Sequence, residues 1–533
     1  MTAVVSAGEL IARALVREHV THVFALGGGH IDPTWNAAKA HGITVVDVRH
    51  EGAAAHAAEG WALATGEPGV CLVTAGPGFT NALTGIANAH NNGSPVVCIA
   101  GAATLRGQDA GEVESLDQLA LAQPVTKWAR RVYHADRVAE YVHAAFRAAT
   151  TGRPGPVYLE VPIDLVHAMV DPDAAAVAYR LDAGARGGGP DDGSIARAVE
   201  LLAGASRPAV VAGSGVWWAH AGDELRAFVE RSRIPLVTRQ AARGLVPDDH
   251  PLCFGNDWQN VVYQADVLLV VGKQLDYFFG YGGFGHLDHF IQIDVEPREI
   301  GRNRAPVDLG IVADARAALR RLTEKVDRLD TADWVAALRD QADRIAASKA
   351  ALAASDDVPI HPLRVCRELA ALLPRDATVV ADASNMLMWA NACFRAYEPG
   401  RVPSMGNLGC IGNGIGYALA AACARPGTPV VWVVGDGSFG FHAMELDTAA
   451  RFGLPITTVV LNNGGWSGPW IPLGVRHYEA LAPGFDGEGM LVERPDQLVP
   501  ALERALAAPH PSIVNVLVDP AAEYFPGRSF RTS

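Results

Sequence analysis

The chain has no apolar run of the eighteen or so residues needed to cross a bilayer, and its N-terminus lacks a basic region followed by an apolar signal core. No membrane partner is therefore expected, and the expected compartment is the cytoplasm. Basic residues are in deficit. Lys and Arg number 44 against 58 Asp and Glu, and the net charge of −14 opposes binding to nucleic acid or an anionic membrane surface. The seven cysteines are scattered and odd in number, with no Cys-x-x-Cys pair. That excludes a disulfide framework and a thiolate zinc site, and the thiols read as small buried hydrophobes in a reducing compartment. There is no obvious internal repeat, and the terminal Arg531-Thr532-Ser533 is not the peroxisomal address Ser-Lys-Leu.

What is present is apolar surface in short, punctuated runs. With 533 residues, 49% of them hydrophobic, the chain exceeds one core and divides into about three domains of roughly 150 residues each. Strand-like runs at 21–26, 43–48, 69–74, 95–100 and 156–161 alternate with helical segments. A polar stretch at 171–193, with Gly187-Gly188-Gly189-Pro190, reads as a linker. The pattern resumes at 207–212, 235–238, 265–271 and 290–295, and an Ala-rich helical connection at 332–355 leads to the last part. The fold class is α/β, with three doubly wound parallel-sheet domains expected at 1–170, 190–328 and 356–533.

The chemistry concentrates at Gly435-Asp436-Gly437-Ser438, followed one helix-length later by Asn462-Asn463. Apolar runs at 429–434 and 456–461 precede each motif, and the segment 441–452 between them is helix-compatible and stops at Gly453. A right-handed crossover places Asp436 and Asn463 together at the carboxyl edge of one sheet, where α/β sheets bind ligands. Lone Asp-Gly or Asn-Asn pairs are ordinary turn chemistry. In this strand-helix-strand context, a carboxylate, an amide oxygen and a glycine turn opening a helix suit Mg²⁺ holding a diphosphate.

This spacing resembles the signature of thiamine-diphosphate-dependent enzymes. The intervening Phe439-Gly440-Phe441-His442-Ala443-Met444-Glu445-Leu446 is similar to the branch containing 2-hydroxyacyl-CoA lyase and oxalyl-CoA decarboxylase. The resemblance implies pyrimidine-binding, central and diphosphate-binding domains in that order. It implies that Asp436, the Asn463 side chain and the Gly465 carbonyl ligate Mg²⁺, with Gly435, Gly437, Ser438 and Asn463 around the diphosphate. The run Gly406 to Gly412 resembles the segment that bends the cofactor. There the Gly409 carbonyl would accept from the 4′-amine and Ile411 would wedge between the rings, where methionine is common in relatives. Ser384 and Asn385 resemble a second diphosphate-contacting turn.

A second signal is Arg49-His50-Glu51-Gly52-Ala53-Ala54 at the end of the second strand-like run. A glutamate at a helix start is favourable for the helix dipole alone. The match to the family's first domain, together with Gly76-Pro77-Gly78-Phe79-Thr80-Asn81, implies instead that Glu51 hydrogen-bonds N1′ of the aminopyrimidine. That contact promotes the imino tautomer that removes the thiazolium C2 proton.

On the substrate side, Gly28-Gly29-His30-Ile31-Asp32 resembles benzaldehyde lyase, where the matching histidine serves in proton transfer. Glu114 aligns with an acidic position of the oxalyl-CoA decarboxylase branch, and His90, His442, Trp466 and Trp470 are further pocket candidates. Leu387 stands where benzaldehyde lyase carries a tyrosine. The segment 467–477 is shorter than in relatives, which would either leave the site open or shift closure to the aromatic and basic tail at 524–531. Gly213-Ser214-Gly215 and Asp294 could hold the ribose and phosphates of a nucleotide (ADP, CoA or FAD) in the central domain, which relatives use for FAD, for ADP or for nothing; a short Gly-x-Gly alone is a weak signal.

The leading expectation is a Mg²⁺- and thiamine-diphosphate-dependent lyase or carboligase acting on 2-hydroxyacyl-CoA or 2-hydroxy ketone substrates, with an acyl-CoA, aldehyde or 2-keto acid as its small-molecule partner. An acetolactate-synthase-like reaction of 2-keto acids is the alternative, and a cofactor-binding subunit without catalysis is a third. Because the glutamate and the metal motif meet across two chains in this superfamily, a homodimer or homotetramer is implied.

Overall fold

The computed structural model describes residues 4–172, 187–303, 306–382, 384–403, 405–466 and 471–522. Three parallel sheets organise these residues. The first has six strands in the spatial order Thr44–Asp47, His22–Ala25, Gly69–Val73, Val96–Ala102, Val157–Pro162, Trp128–Arg131. The second has five, Leu236–Thr238, Pro208–Ala212, Val267–Val271, His289–Asp294 and Leu309–Val312. The third runs Thr378–Ala381, Val430–Gly435, Ile456–Asn462, Ser512–Leu517, Glu488–Val492. Each sheet has one apolar core on each face, which is why its strands are nearly continuous Val, Ile, Leu and Ala rather than alternating.

The edge strands Thr44–Asp47 and Leu236–Thr238 coincide with runs read in the sequence, whereas Trp128–Arg131, Leu309–Val312, Thr378–Ala381 and Glu488–Val492 do not. Trp128–Arg131 carries two arginines, one of which, Arg131, pairs with the buried Glu160 of the neighbouring strand. The connection near 332–355 is the helix Ala332–Ala353, and it does more than link. Trp334 and Leu338 enter one core of the second sheet, and Ala353 enters a core of the third. The segment expected as one helix at 441–452 is two, Asp436–His442 and Glu445–Arg451. The first begins at Asp436 itself and contains Gly437 and Gly440, poor helix formers that leave it too weak to run on. Gly453 ends the second at φ +62°, as its place in the sequence predicts.

The first and third units meet where two helices rich in small residues cross. Glu51–Thr65 packs on Gly414–Ala424, and glycines set the distance: a Cβ at Gly60 would lie 2.7 Å from Tyr417 Cα, and one at Gly416 2.8 Å from His56 Cβ. Glu59 is buried in this seam and accepts from Asn88, Asn92, Ser94 and the Tyr417 hydroxyl. Burial raises its pKa against those four hydrogen bonds.

Candidate active site

In the first sheet the chain order reverses between His22–Ala25 and Gly69–Val73, which opens a crevice at their carboxyl ends. Gly27 to His30 leave the first of these strands, and Thr74 to Gly76 leave the second. The His30 imidazole Nδ1 stands 3.1 Å from Glu114 Oε2 and 3.3 Å from Thr74 Oγ1, and Thr74 Oγ1 donates to the same Glu114 oxygen at 3.3 Å. Close backbone packing seats this group. A Cβ on Gly101 would fall 2.3 Å from His30 Cβ, and one on Gly28 2.6 Å from Thr74 Cβ. Gly76, at φ +55°, abuts Glu114, itself at φ +60°. Gln118 ties the crevice together by accepting from Gly76 N at 2.5 Å and donating to Gly101 O at 2.9 Å.

Glu51 is the first residue of its helix, and His50 is the cap, its Nδ1 accepting from Gly52 N at 3.0 Å. The Glu51 carboxyl is only 7% exposed, and Oε2 accepts from Asn81 Nδ2 at 2.9 Å. Its Oε1 lies near Gly78, where a Cβ would approach to 3.7 Å. Thus the first turn of Pro77–Asn92 walls one side of the carboxylate. Among the described residues, no hydrogen bond or ion pair joins Glu51 to Asp436, Asn463 or Gly409.

At the third sheet, Gly435 pairs with Leu461 in register, so Asp436 and Asn463 emerge side by side at one edge. Asp436 is 3% exposed and its Oδ2 has no partner. Burial pushes its carboxyl up to about 6, although the backbone N–H groups of Gly437, Gly465 and Gly464 favour the charged form. Ser438 Oγ is also buried without a partner, and Asn463 Oδ1 accepts from Gly465 N at 3.2 Å. Trp466 covers Gly437, where a Cβ would meet the indole at 2.9 Å. Buried, unsatisfied oxygens beside a glycine turn form a hard-donor set, and their residues fit Mg²⁺ and a diphosphate.

The segment 406–412 faces this edge. Asp382, at the end of Thr378–Ala381, accepts from Gly412 N and Gly414 N, both at 3.0 Å, and His442 Nδ1 lies 2.8 Å from Gly412 O. Gly409, at φ +74°, has nothing within 4 Å of where a Cβ would stand, and Ile411 is half-buried. Glu445 reaches across to the first unit and accepts from Arg49 N at 3.0 and 3.1 Å.

Some candidates lie elsewhere. His90 is in the last turn of Pro77–Asn92, roughly 20 Å along the axis from Gly76 at a rise of 1.5 Å per residue. Leu387 packs beside a core of the third sheet. Ser384 and Asn385 open the helix Ser384–Cys393, and their side chains, like Trp470 and the tail at 524–531, lie outside the described residues.

The corresponding crevice of the second sheet is closed by its own loops. Gly213 N and Gly215 N donate to Val271 O and Gly272 O, and a Cβ at Gly213 would meet Lys273 Cα at 2.5 Å. The two glycines permit loop-on-loop packing, and these N–H groups are engaged. The adjoining cleft is lined, among the described residues, by Asp294 and Asp314, and Arg153, between the lining residues Gly152 and Pro154, acts on the Asp294 charge. Residues the sequence reading passed over include Thr74, Asn81, Gln118 and Asp382. Thr74 and Asp382 directly follow strands, and that position was the available signal.

Residues 5–121 match the N-terminal TPP binding domain of thiamine pyrophosphate enzymes, 195–322 the central domain, and 382–468 the C-terminal TPP binding domain. The chain is 38% identical to the acetolactate synthase large subunit IlvG of Mycobacterium tuberculosis, over 98% of this chain and 97% of that one. It is 32% identical to oxalyl-CoA decarboxylase of Escherichia coli, covering 96% and 95%. With human 2-hydroxyacyl-CoA lyase 1 the identity is 29%, covering 97% and 95%.

Proposed function

Since the chain belongs to the thiamine pyrophosphate enzyme family, we propose that it is a Mg²⁺-dependent lyase or carboligase that breaks or makes the carbon–carbon bond of a 2-hydroxyacyl-CoA or 2-hydroxy ketone. The observation that carries this reading is the His30–Glu114 pair in the first sheet's crevice. An imidazole held against a carboxylate can accept the proton of a substrate hydroxyl as the carbon–carbon bond breaks and the aldehyde leaves, and give it to the carbon that keeps the bond's electron pair.

The other roles follow the atoms. Asp436, Asn463 and the Gly465 carbonyl hold the metal, while Gly435, Gly437, Ser438 and the helix that begins at Asp436 face the diphosphate. Gly409 and Ile411 take the aminopyrimidine side, with Ser384 and Asn385 at a second phosphate turn. When bound, thiamine diphosphate supplies a nucleophilic carbon and an electron sink next to a carbonyl. Glu51 holds a proton at the pyrimidine ring, and its burial against Asn81 keeps water from competing for that position. The three sheets correspond to units at 1–170, 190–328 and 356–533, in pyrimidine-binding, central and diphosphate-binding order. In this superfamily the glutamate and the metal motif meet across two chains, and on that likeness the working unit is a homodimer or a tetramer of two dimers. No helix among the described residues is long and apolar enough to cross a membrane, and a cytoplasmic location completes the reading.

A second reading, condensation of 2-keto acids, is favoured by the 38% identity to a protein described as acetolactate synthase. Purified protein with Mg²⁺ and thiamine diphosphate should be offered a 2-hydroxyacyl-CoA, a benzoin-type ketone and pyruvate. Turnover of a hydroxy substrate with pyruvate inert is expected. Turnover of pyruvate alone would replace the first reading with the second.

A further inference from the structure

Residues 406–412 are clamped at two places with a free span between. Downstream, Gly412 is fixed through its N–H to Asp382 and its carbonyl to His442. Upstream, the grip is on Gly406 and Asn407, and it comes from the other two units. Asn92 of the first unit accepts from Asn407 N at 3.3 Å, and Gly406 approaches so closely that a Cβ would stand 2.1 Å from the Asn92 amide oxygen. Asn92 is itself held by Glu59 at 2.8 Å. From the central unit, Asp276 Oδ2 accepts from Asn407 Nδ2 at 2.6 Å.

Asp276 is firmly placed. It follows the strand Val267–Val271, and the same oxygen accepts from Lys273 Nζ. Lys273 is 2% exposed; its ammonium also donates to Gln274 O at 2.6 Å and lies 5.5 Å from the Phe279 ring centre. A buried ammonium is costly to solvate by protein alone, so its carboxylate partner has little freedom to move. Between the clamps, Leu408 is exposed, and a Cβ at Gly409 would have no atom within 4 Å. The Gly409 carbonyl is thus carried on a short span whose upstream end is set by where Asn407 is held.

We propose that Asp276 is a positioning residue for cofactor binding: braced by Lys273, it fixes Asn407 and so the Gly409 carbonyl two residues on, letting the central unit act on thiamine diphosphate without touching it. This rests on the assignment of Gly409 to the aminopyrimidine side.

The test is thiamine diphosphate titration at saturating Mg²⁺, followed by calorimetry and independent of substrate, with the thermal midpoint of each apoprotein recorded. Asp276→Ala and Asn407→Ala should each weaken binding roughly tenfold, as loss of one charge-assisted hydrogen bond predicts. The double variant should be no worse than the weaker single, because both remove one contact. Asp276→Asn, which keeps an oxygen for Asn407, should retain most of the affinity. Unchanged binding by Asn407→Ala, or losses that multiply in the double variant, would overturn the inference. Failure of the wild-type protein to bind would instead remove the cofactor assignment on which it rests.

Discussion

His30 Nδ1 and Glu114 Oε2 lie 3.1 Å apart, joined through sequence segments that are distant in the chain and adjacent only at the crevice of the first sheet. The carboxylate orients the ring by holding its Nδ1, which aims the other ring nitrogen for a proton relay. His30→Ala should lower kcat by roughly a hundredfold or more while the thermal midpoint stays near that of the wild type. Glu114→Gln should lower kcat less, since an amide oxygen can still hold the ring. Steady-state kinetics would check both, and wild-type kcat in His30→Ala would remove the histidine from the reaction.

Gly101 offers a way to disturb His30 without touching its chemistry. A methyl group there would fall 2.3 Å from His30 Cβ, inside any allowed contact, so backbone or imidazole must move. Gly101→Ala is expected to cost about 1–3 kcal/mol of stability by overpacking and to reduce kcat more than it changes the affinity for thiamine diphosphate. Denaturant unfolding and cofactor titration on the same preparation separate the two effects.

The seam between the first and third units carries a pH dependence. Burial pushes the Glu445 carboxyl up to about 7, against its hydrogen bonds from Thr448 and the backbone of Arg49 and the charge of Arg451. A carboxyl whose pKa is higher in the folded state stabilises that state while protonated. The contribution is full below about 4.5, the ordinary glutamate value, and is lost as pH rises through 7. Glu445→Gln resembles the protonated form at every pH. Relative to it, the wild type should lose stability between pH 5 and 8, by at most about 3 kcal/mol. Thermal midpoints of both proteins at the two pH values measure the difference directly, and a constant gap would refute it.

Much of this arrangement is legible in the sequence because buried parallel strands have a strong signature. The uninterrupted apolar run before Asp436 and the one before Asn463 give both the strands and the edge where the two side chains meet. Glu51 is legible for the same reason, standing where an apolar run gives way to an Ala-rich helix. Other parts depend on contacts between distant segments, for which local pattern has no sign. Glu114 is reached in the sequence only through the family likeness, and it is Gly76 and Thr74, packed beneath it, that tie it to His30. The Gly-x-Gly at 213–215 has the spacing of a phosphate loop, yet its N–H groups bond to the carbonyls of Val271 and Gly272. Trp128–Arg131 is hidden by its arginines, one of which is satisfied by Glu160 across the sheet.

The central claim is that Glu51 activates thiamine diphosphate held at the third sheet by Asp436 and Asn463. The most direct test is exchange of the cofactor's C2 proton for deuterium, followed by NMR after acid quench, in wild-type protein and in Glu51→Gln with Mg²⁺ present. The account predicts a variant that folds and binds cofactor but exchanges the proton roughly a hundredfold more slowly or worse. Exchange at the wild-type rate in Glu51→Gln would contradict it.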